Sequence, residues 1–159
     1  MRNNIHFFSE GTAFHLPDPV TTSNWIQAVI QREKHELVQI NFIFCSDAYL
    51  HAKNMYYLHH DTLTDVLTFD YKDVPETIEG EIYISIDRVI TNAQIWEQSF
   101  VQELQTVMVH GVLHLLGYKD QTLDDRVLMR QKEKEYIKLL HDVSLTPNAS
   151  TAKSLSIRR

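Results

Sequence analysis

In the run "VMVHGVLHLLGYKD", residues 107–120, two histidines stand four apart in an otherwise apolar stretch. On an α-helix, His110 and His114 lie one above the other on the same face. Both imidazoles then reach one cation at the ~2.0–2.1 Å of a zinc–nitrogen bond. Gly117 lets the chain leave the helix sharply, and Asp120 follows where it can fold back over the last turn. Two His and one carboxylate make a three-ligand set that leaves a fourth position for water. Spacing alone keeps a second reading open, in which the pair are core histidines satisfied by neighbours. In H-E-x-x-H metalloproteases the residue after the first His is the general base; here it is Gly111. Without that carboxylate the peptidase reading loses its chemistry. A Gly inside a helix costs ~1 kcal/mol relative to Ala, so Gly111 suggests close approach by another backbone or a substrate.

The helix that must hold these groups has readable ends. Ser99 followed by Gln102 forms a capping box, and Gly117 suits the C′ position, which places the helix from about Ser99 to Leu116. Val107, Met108, Val109, Val112, Leu113, Leu115 and Leu116 wrap most of its circumference, as in a buried helix. Histidines in such a setting need partners that replace lost water.

Upstream, "NNIHFFSE", "LVQINFIFCS", "TDVLTFDY" and "GEIYISI" read as strands, the second on the alternation of Val38, Ile40, Phe42 and Phe44. The stretch "KDVPETIE" reads as a turn. Helices are expected through "NWIQAVIQREKHE" with caps at Thr21 to Ser23, and through "AYLHAKNMYYLHH" from Ser46 and Asp47. A third runs through "DRVITNAQIWEQ". The last opens at Thr122, with Asp124 and Asp125 in its first turn, and runs through "RVLMRQKEKEYIKLLH". Its mixture of Arg126, Arg130, Lys132, Lys134 and Lys138 with Glu133 and Glu135 reads as a solvated face. These elements predict an α+β fold: one layered domain over residues 1–145, a mixed sheet of about four strands with helices packed on it. The histidine helix is buried at its centre, and residues 146–159 form a flexible tail.

The bulk properties agree. The chain has 159 residues, 43% hydrophobic and 23% charged, which suits one ordinary globular domain. No apolar run approaches the ~20 residues of a membrane span, and the amino-terminal stretch lacks the apolar core of a secretory signal. The single cysteine, Cys45, forms no intramolecular disulfide and reads as a small buried hydrophobe, which points to the cytoplasm. A net charge of −6 argues against a non-specific DNA binder. Five of the nine histidines, at positions 6, 15, 35, 51 and 141, are scattered and read as structural or surface groups.

The segment "VHGVLHLLGYKD" closely resembles the H-G-x-L-H-L-x-G-Y-D-H signature of the YbeY-type bacterial rRNA maturation factors, which are metal-dependent endoribonucleases. "NMYYLHHDTLTDVLTFDY" resembles that family's N-x-x-Y-R-x-K-D-x-P-T-D-V-L-S-F segment, and "GEIYIS" its G-D-I strand. Order and spacing agree over about residues 35–140. The resemblance implies metal ligands at His110 and His114, with the third falling on Asp120, where the family has His. A carboxylate there cancels one unit of the cation's charge, so a bound water is acidified less. It also makes harder metals such as Mn²⁺ more welcome beside Zn²⁺.

A second departure is Leu58, which follows Tyr57 where the family commonly has Arg, the natural phosphate clamp. His59 and His60 stand as local substitutes or as surface loop residues. Asp61 and Asp65 match the family segment; Asp65 either supports the site or caps a strand. The sequence names no general base. The resemblance implies a single-strand-specific endoribonuclease of small-subunit rRNA 3′-end maturation and ribosome quality control, with ribosomal RNA and the ribosome or its subunit as partners. Neither a membrane nor DNA is expected among them. Two other readings stand beside it: a ribosome-assembly binding protein with a structural metal, and a metal-dependent hydrolase of another substrate.

Overall fold

Alternating apolar residues in the second and fourth strands build the floor on which the histidine helix rests. The computed structural model describes residues 4–58 and 64–145. In chain order the elements are β1 (Ile5–Glu10), α1 (Pro19–Arg32), β2 (Glu36–Cys45), α2 (Asp47–Leu58) and β3 (Val66–Asp70). They continue with β4 (Thr77–Ser85), α3 (Ile86–Ile95), α4 (Phe100–Leu115) and α5 (Leu123–Leu145). The four strands form one sheet in the order β1-β2-β4-β3. β1 pairs with β2 and β2 with β4 in parallel, while β3 joins β4 antiparallel and forms one edge. The expected α+β architecture, a mixed four-stranded sheet carrying helices, is the one observed.

On one face of the sheet, Ile40, Phe42 and Phe44 of β2 and Ile78, Ile82 and Ile84 of β4 are buried with Val107, Val112 and Leu115 of α4 and Trp25 and Ile26 of α1. Gly111 explains how tightly α4 lies on β4. A methyl group there would sit 2.7 Å from Cγ2 of Ile82. The close approach expected at Gly111 is therefore made by a side chain of the sheet rather than by another backbone or a substrate. On the opposite face, Ile43, Cys45, Leu50, Leu67 and Tyr83 form a smaller cluster that includes Leu50 of α2. Burial pushes the Cys45 thiol up to about 12, with Asp87 and Asp47 adding to the shift. It stays protonated and inert, as a small core hydrophobe should.

Several boundaries differ from the sequence reading: α1 ends at Arg32 and α3 at Ile95, short of the expected Glu36 and Gln98, and two starts shift. α1 is capped by Asp18, whose carboxylate accepts the backbone N–H of Thr21 at 3.4 Å, rather than by a residue of Thr21–Ser23. Pro19 explains the earlier start, because a proline fits the first helical turn without needing an N–H partner. β4 begins at Thr77, inside the expected turn, because its pairing with β2 extends to Glu36↔Thr77. The start of α5 falls where expected: Thr122 Oγ1 accepts the N–H of Asp125 at 3.0 Å, and Asp125 accepts that of Thr122 at 3.2 Å. Residues 146–159, His59, His60 and Asp61 lie outside the described residues. Among the described residues no helix is long and apolar enough to cross a membrane.

Candidate metal centre

α4 is held at both ends by its own sequence. Ser99 Oγ accepts the N–H of Gln102 at 3.1 Å, and Gln102 Oε1 accepts that of Ser99 at 3.0 Å, closing the capping box. At the other end the Gly117 N–H donates to the His114 carbonyl and the Tyr118 N–H to the Leu113 carbonyl, each at 3.0 Å. These two bonds are the Schellman arrangement, which needs a left-handed residue at C′. Gly117, at φ 107°, supplies it and reverses the chain over the last turn of the helix.

The reversal brings Asp120 back to the two histidines. His114 Nε2 stands 3.1 Å from His110 Nε2 and 3.2 Å from Asp120 Oδ2, and the third side, His110 Nε2 to Asp120 Oδ2, is 3.7 Å. Ligands held ~2.1 Å from a tetrahedral centre stand about 3.4 Å from one another. The observed triangle brackets that value, so the three atoms could hold one divalent cation without rearrangement. The imidazoles are 23% and 24% exposed, whereas Asp120, at 45%, lies at the mouth. A ligand or water can therefore approach from the Asp120 side.

His110 is oriented from behind. Its Nδ1–H donates to Oε2 of Glu133 at 2.6 Å, and Glu133 is buried. A carboxylate that takes the Nδ1 proton leaves Nε2 to face the triangle, the arrangement by which carboxylates prepare histidines for metals. Burial alone would lower the His110 pKa, but the bond and charge of Glu133 outweigh it and hold it above the usual imidazole range. His114 is held below that range, first by burial and then by the neighbouring charge of His110. A neutral imidazole is the form that binds a metal.

Facing the triangle across a cleft of about 260 Å³ is the start of edge strand β3, with Thr64, Asp65, Val66, Leu67 and Thr68 in the wall. Asp65 accepts a hydrogen bond from Nδ2 of Asn92 at 3.2 Å, and its carbonyl accepts the N–H of Ser85 at 3.0 Å. It thus anchors the start of β3, as one of the two readings expected, and it also lines the cleft. Its charge adds to the raising of the His110 pKa, after the larger effects of burial, which lowers it, and of Glu133, which raises it.

Glu133, which the sequence reading placed on a solvated face, is instead buried against His110. α5 buries Met129, Glu133, Tyr136, Ile137 and Leu140. That 4-3-1-3 spacing is one helical stripe, so the register of Glu133 with its apolar neighbours was the signal that could have found it. Lys132 is also engaged rather than solvated, its Nζ lying 3.2 Å from Glu33 Oε2 and 3.4 Å from Glu135 Oε1.

Comparison with known proteins gives a consistent answer. Residues 13–141 match the family described as "Endoribonuclease YbeY". A protein of that name from Amoebophilus asiaticus is 57% identical over 134 residues, covering 84% of this chain and 91% of the relative. Another, from Cytophaga hutchinsonii, is 44% identical over 129 residues, covering 81% and 90%. Among solved structures, a Thermotoga maritima protein determined in solution superposes with a TM-score of 0.61 at 27% identity. That likeness covers 97% of this chain and 99% of that one.

Proposed function

Since the chain belongs to the YbeY endoribonuclease family, it is an enzyme that hydrolyses phosphodiester bonds in RNA, and we propose that it does so at a divalent cation held by His110, His114 and Asp120. The observation that carries the reading is the convergence of these three donor atoms within 4.8 Å of one another at the foot of a cleft. Zn²⁺ suits two imidazoles and a carboxylate, and the oxygen ligand also admits Mn²⁺. When bound, such a cation polarises a phosphoryl oxygen and acidifies a water.

The chain's own residues do the rest. Glu133 holds the His110 ring in one orientation, and Asp65 and Asp120 lend the cleft the negative potential that a cation requires. A cleft of about 260 Å³ has room for a phosphodiester group beside the three donors, and we take single-stranded RNA as the substrate. We place the activity in the cytoplasm, in the maturation of the small-subunit ribosomal RNA 3′ end and in ribosome quality control, with the ribosome or its subunit as partner. Family membership supports that role.

The deciding experiment compares wild type with Asp120→Asn for bound zinc and for cleavage of a single-stranded oligoribonucleotide, with and without chelator. Asn keeps the shape but loses the anionic charge, so both zinc affinity and cleavage should fall by about 10-fold or more. Unchanged zinc affinity would remove Asp120 from the ligand set. The net charge of −6 favours one rival, a ribosome-assembly protein with a structural metal; it predicts bound zinc with no cleavage in any sample.

Glu133→Gln makes a second test. The side chain keeps its size and loses the charge that fixes the Nδ1 proton of His110. Zinc affinity should fall about 10–100-fold, the range for partners behind a ligating histidine, while the circular dichroism spectrum is retained. Competition against a chromogenic chelator reads the affinity directly; a value within twofold of wild type would discard the orienting role.

A further inference from the structure

Behind the site lies a second cluster, built around the half-buried carboxylate of Glu33 just past the end of α1. It accepts a hydrogen bond from Tyr118 Oη at 2.8 Å, one from Tyr136 Oη, and one from Lys132 Nζ at 3.2 Å. Lys132 Nζ also sits 5.8 Å from the ring centre of Tyr118 and 5.7 Å from that of Tyr136. The partners stand 85, 99 and 103 residues away in sequence. Burial opposes the charge on Glu33, but the three donors outweigh it and hold the carboxyl below its usual range. It is therefore a fixed anion, acting as an acceptor for both tyrosines.

What those donors carry gives the cluster its meaning. Tyr118 follows Gly117 in the reversal and stands two residues before Asp120. Its backbone also hydrogen-bonds His114. Lys132 and Tyr136 flank Glu133 on α5, the residue that orients His110. Farther along, the reversal is tied to α5 by Arg126, whose guanidinium donates to the Gln121 carbonyl at 3.0 Å and lies 3.5 Å from that of Asp120. On the α1 side, Trp25 Nε1 donates to the Tyr136 carbonyl at 2.8 Å, so the helix that presents Glu33 is itself fixed to α5.

We infer that Glu33 is a positioning residue for the metal centre: through Tyr118 it sets where Asp120 returns to the histidines, and through Lys132 and Tyr136 it sets where α5 presents Glu133. The inference rests on the reading of His110, His114 and Asp120 as ligands and adds a control over their geometry. One anion registers both the third ligand and the group behind the first. A mere brace between α1 and α5 would need only Lys132 and Tyr136. The bond to Tyr118 reaches the segment that bears the ligand.

The test uses Co²⁺ as the probe, because its visible absorption reports the geometry of its ligands. Apo wild type, Glu33→Gln, Tyr118→Phe and His114→Ala are each titrated with Co²⁺, and the thermal midpoint of each apo protein is recorded. Tyr118→Phe removes one hydroxyl and leaves the Lys132 and Tyr136 bonds in place. We expect Glu33→Gln and Tyr118→Phe to bind Co²⁺ about 10-fold more weakly, with an altered band shape, and His114→Ala to give no band. If Glu33→Gln does not fold, Tyr118→Phe decides. A lowered thermal midpoint with wild-type Co²⁺ affinity and spectrum would overturn the inference and leave Glu33 a brace. Absence of a Co²⁺ band in wild type itself would overturn the ligand reading beneath it, an outcome distinguishable from the first.

Discussion

Replacing His114 by Ala should abolish stable zinc binding and RNA cleavage together while leaving the fold in place. His114 is the shared vertex of the donor triangle, 3.1 Å from one partner and 3.2 Å from the other, whereas those two are 3.7 Å apart. Without it, two donors on the longest side remain. Affinity should drop by more than about 100-fold, beyond the range seen when an outer partner is lost. The ring lies at the cleft surface, about a quarter exposed, so its loss opens no closed cavity in the core. The apo variant should therefore melt close to apo wild type. Zinc analysis of the dialysed protein, paired with a cleavage assay on single-stranded RNA, reads both effects. Retained zinc with lost cleavage would make His114 a participant in chemistry but not a ligand.

The largest effect on stability is expected from Gly80→Ala. A methyl at that position would lie 2.4 Å from the carbonyl oxygen of Phe69 and 3.1 Å from Cδ2 of Leu115. The Leu side chain can turn away, but the carbonyl belongs to the β3–β4 ladder, in which Gly80 pairs with Asp70. Relief requires the edge strand to move, and that strand continues from the cleft wall. Overpacking of a well-filled interior costs about 1–3 kcal/mol, and disturbing the ladder adds to it, so a loss of about 2–4 kcal/mol is expected. Urea unfolding at constant m-value measures the loss. A shift below about 0.5 kcal/mol would mean that β3 yields easily and is not a rigid wall.

The contrast between these sites shows what a one-dimensional reading can and cannot reach. The capping box, the histidine pair, Gly117 and Asp120 all fall within 22 consecutive positions, Ser99 to Asp120. Each acts on a neighbour within a turn or two, so spacing alone conveyed their geometry. Glu133 is 23 residues from His110, and Glu33 is 85 from Tyr118; nothing local marks either pairing. On α5 the local evidence pointed the wrong way. A helix dense in Lys, Arg and Glu suggested solvent on the face where a buried carboxylate stands among Met129, Tyr136 and Ile137. Charge type outweighed register in that reading, and register was the better guide. Gly111 was recognised as a point of close approach, but that the approaching group is Ile82 follows only from the stacking of α4 on β4.

The order of the site's parts along the chain has a consequence for its synthesis. The three proposed ligands and the carboxylate behind His110 lie between positions 110 and 133, after the whole sheet and three of the helices. A chain emerging from its amino-terminal end can pair β1, β2 and β4 and settle α1 against them while it carries no complete metal centre. Two imidazoles and Asp120 can appear together only after α4 and its reversal have emerged, and His110 acquires its fixed orientation later still, with α5. An enzyme that cuts RNA is translated in a crowd of RNA. On the proposed ligand set, its nascent chain holds no complete centre until that reversal has been made.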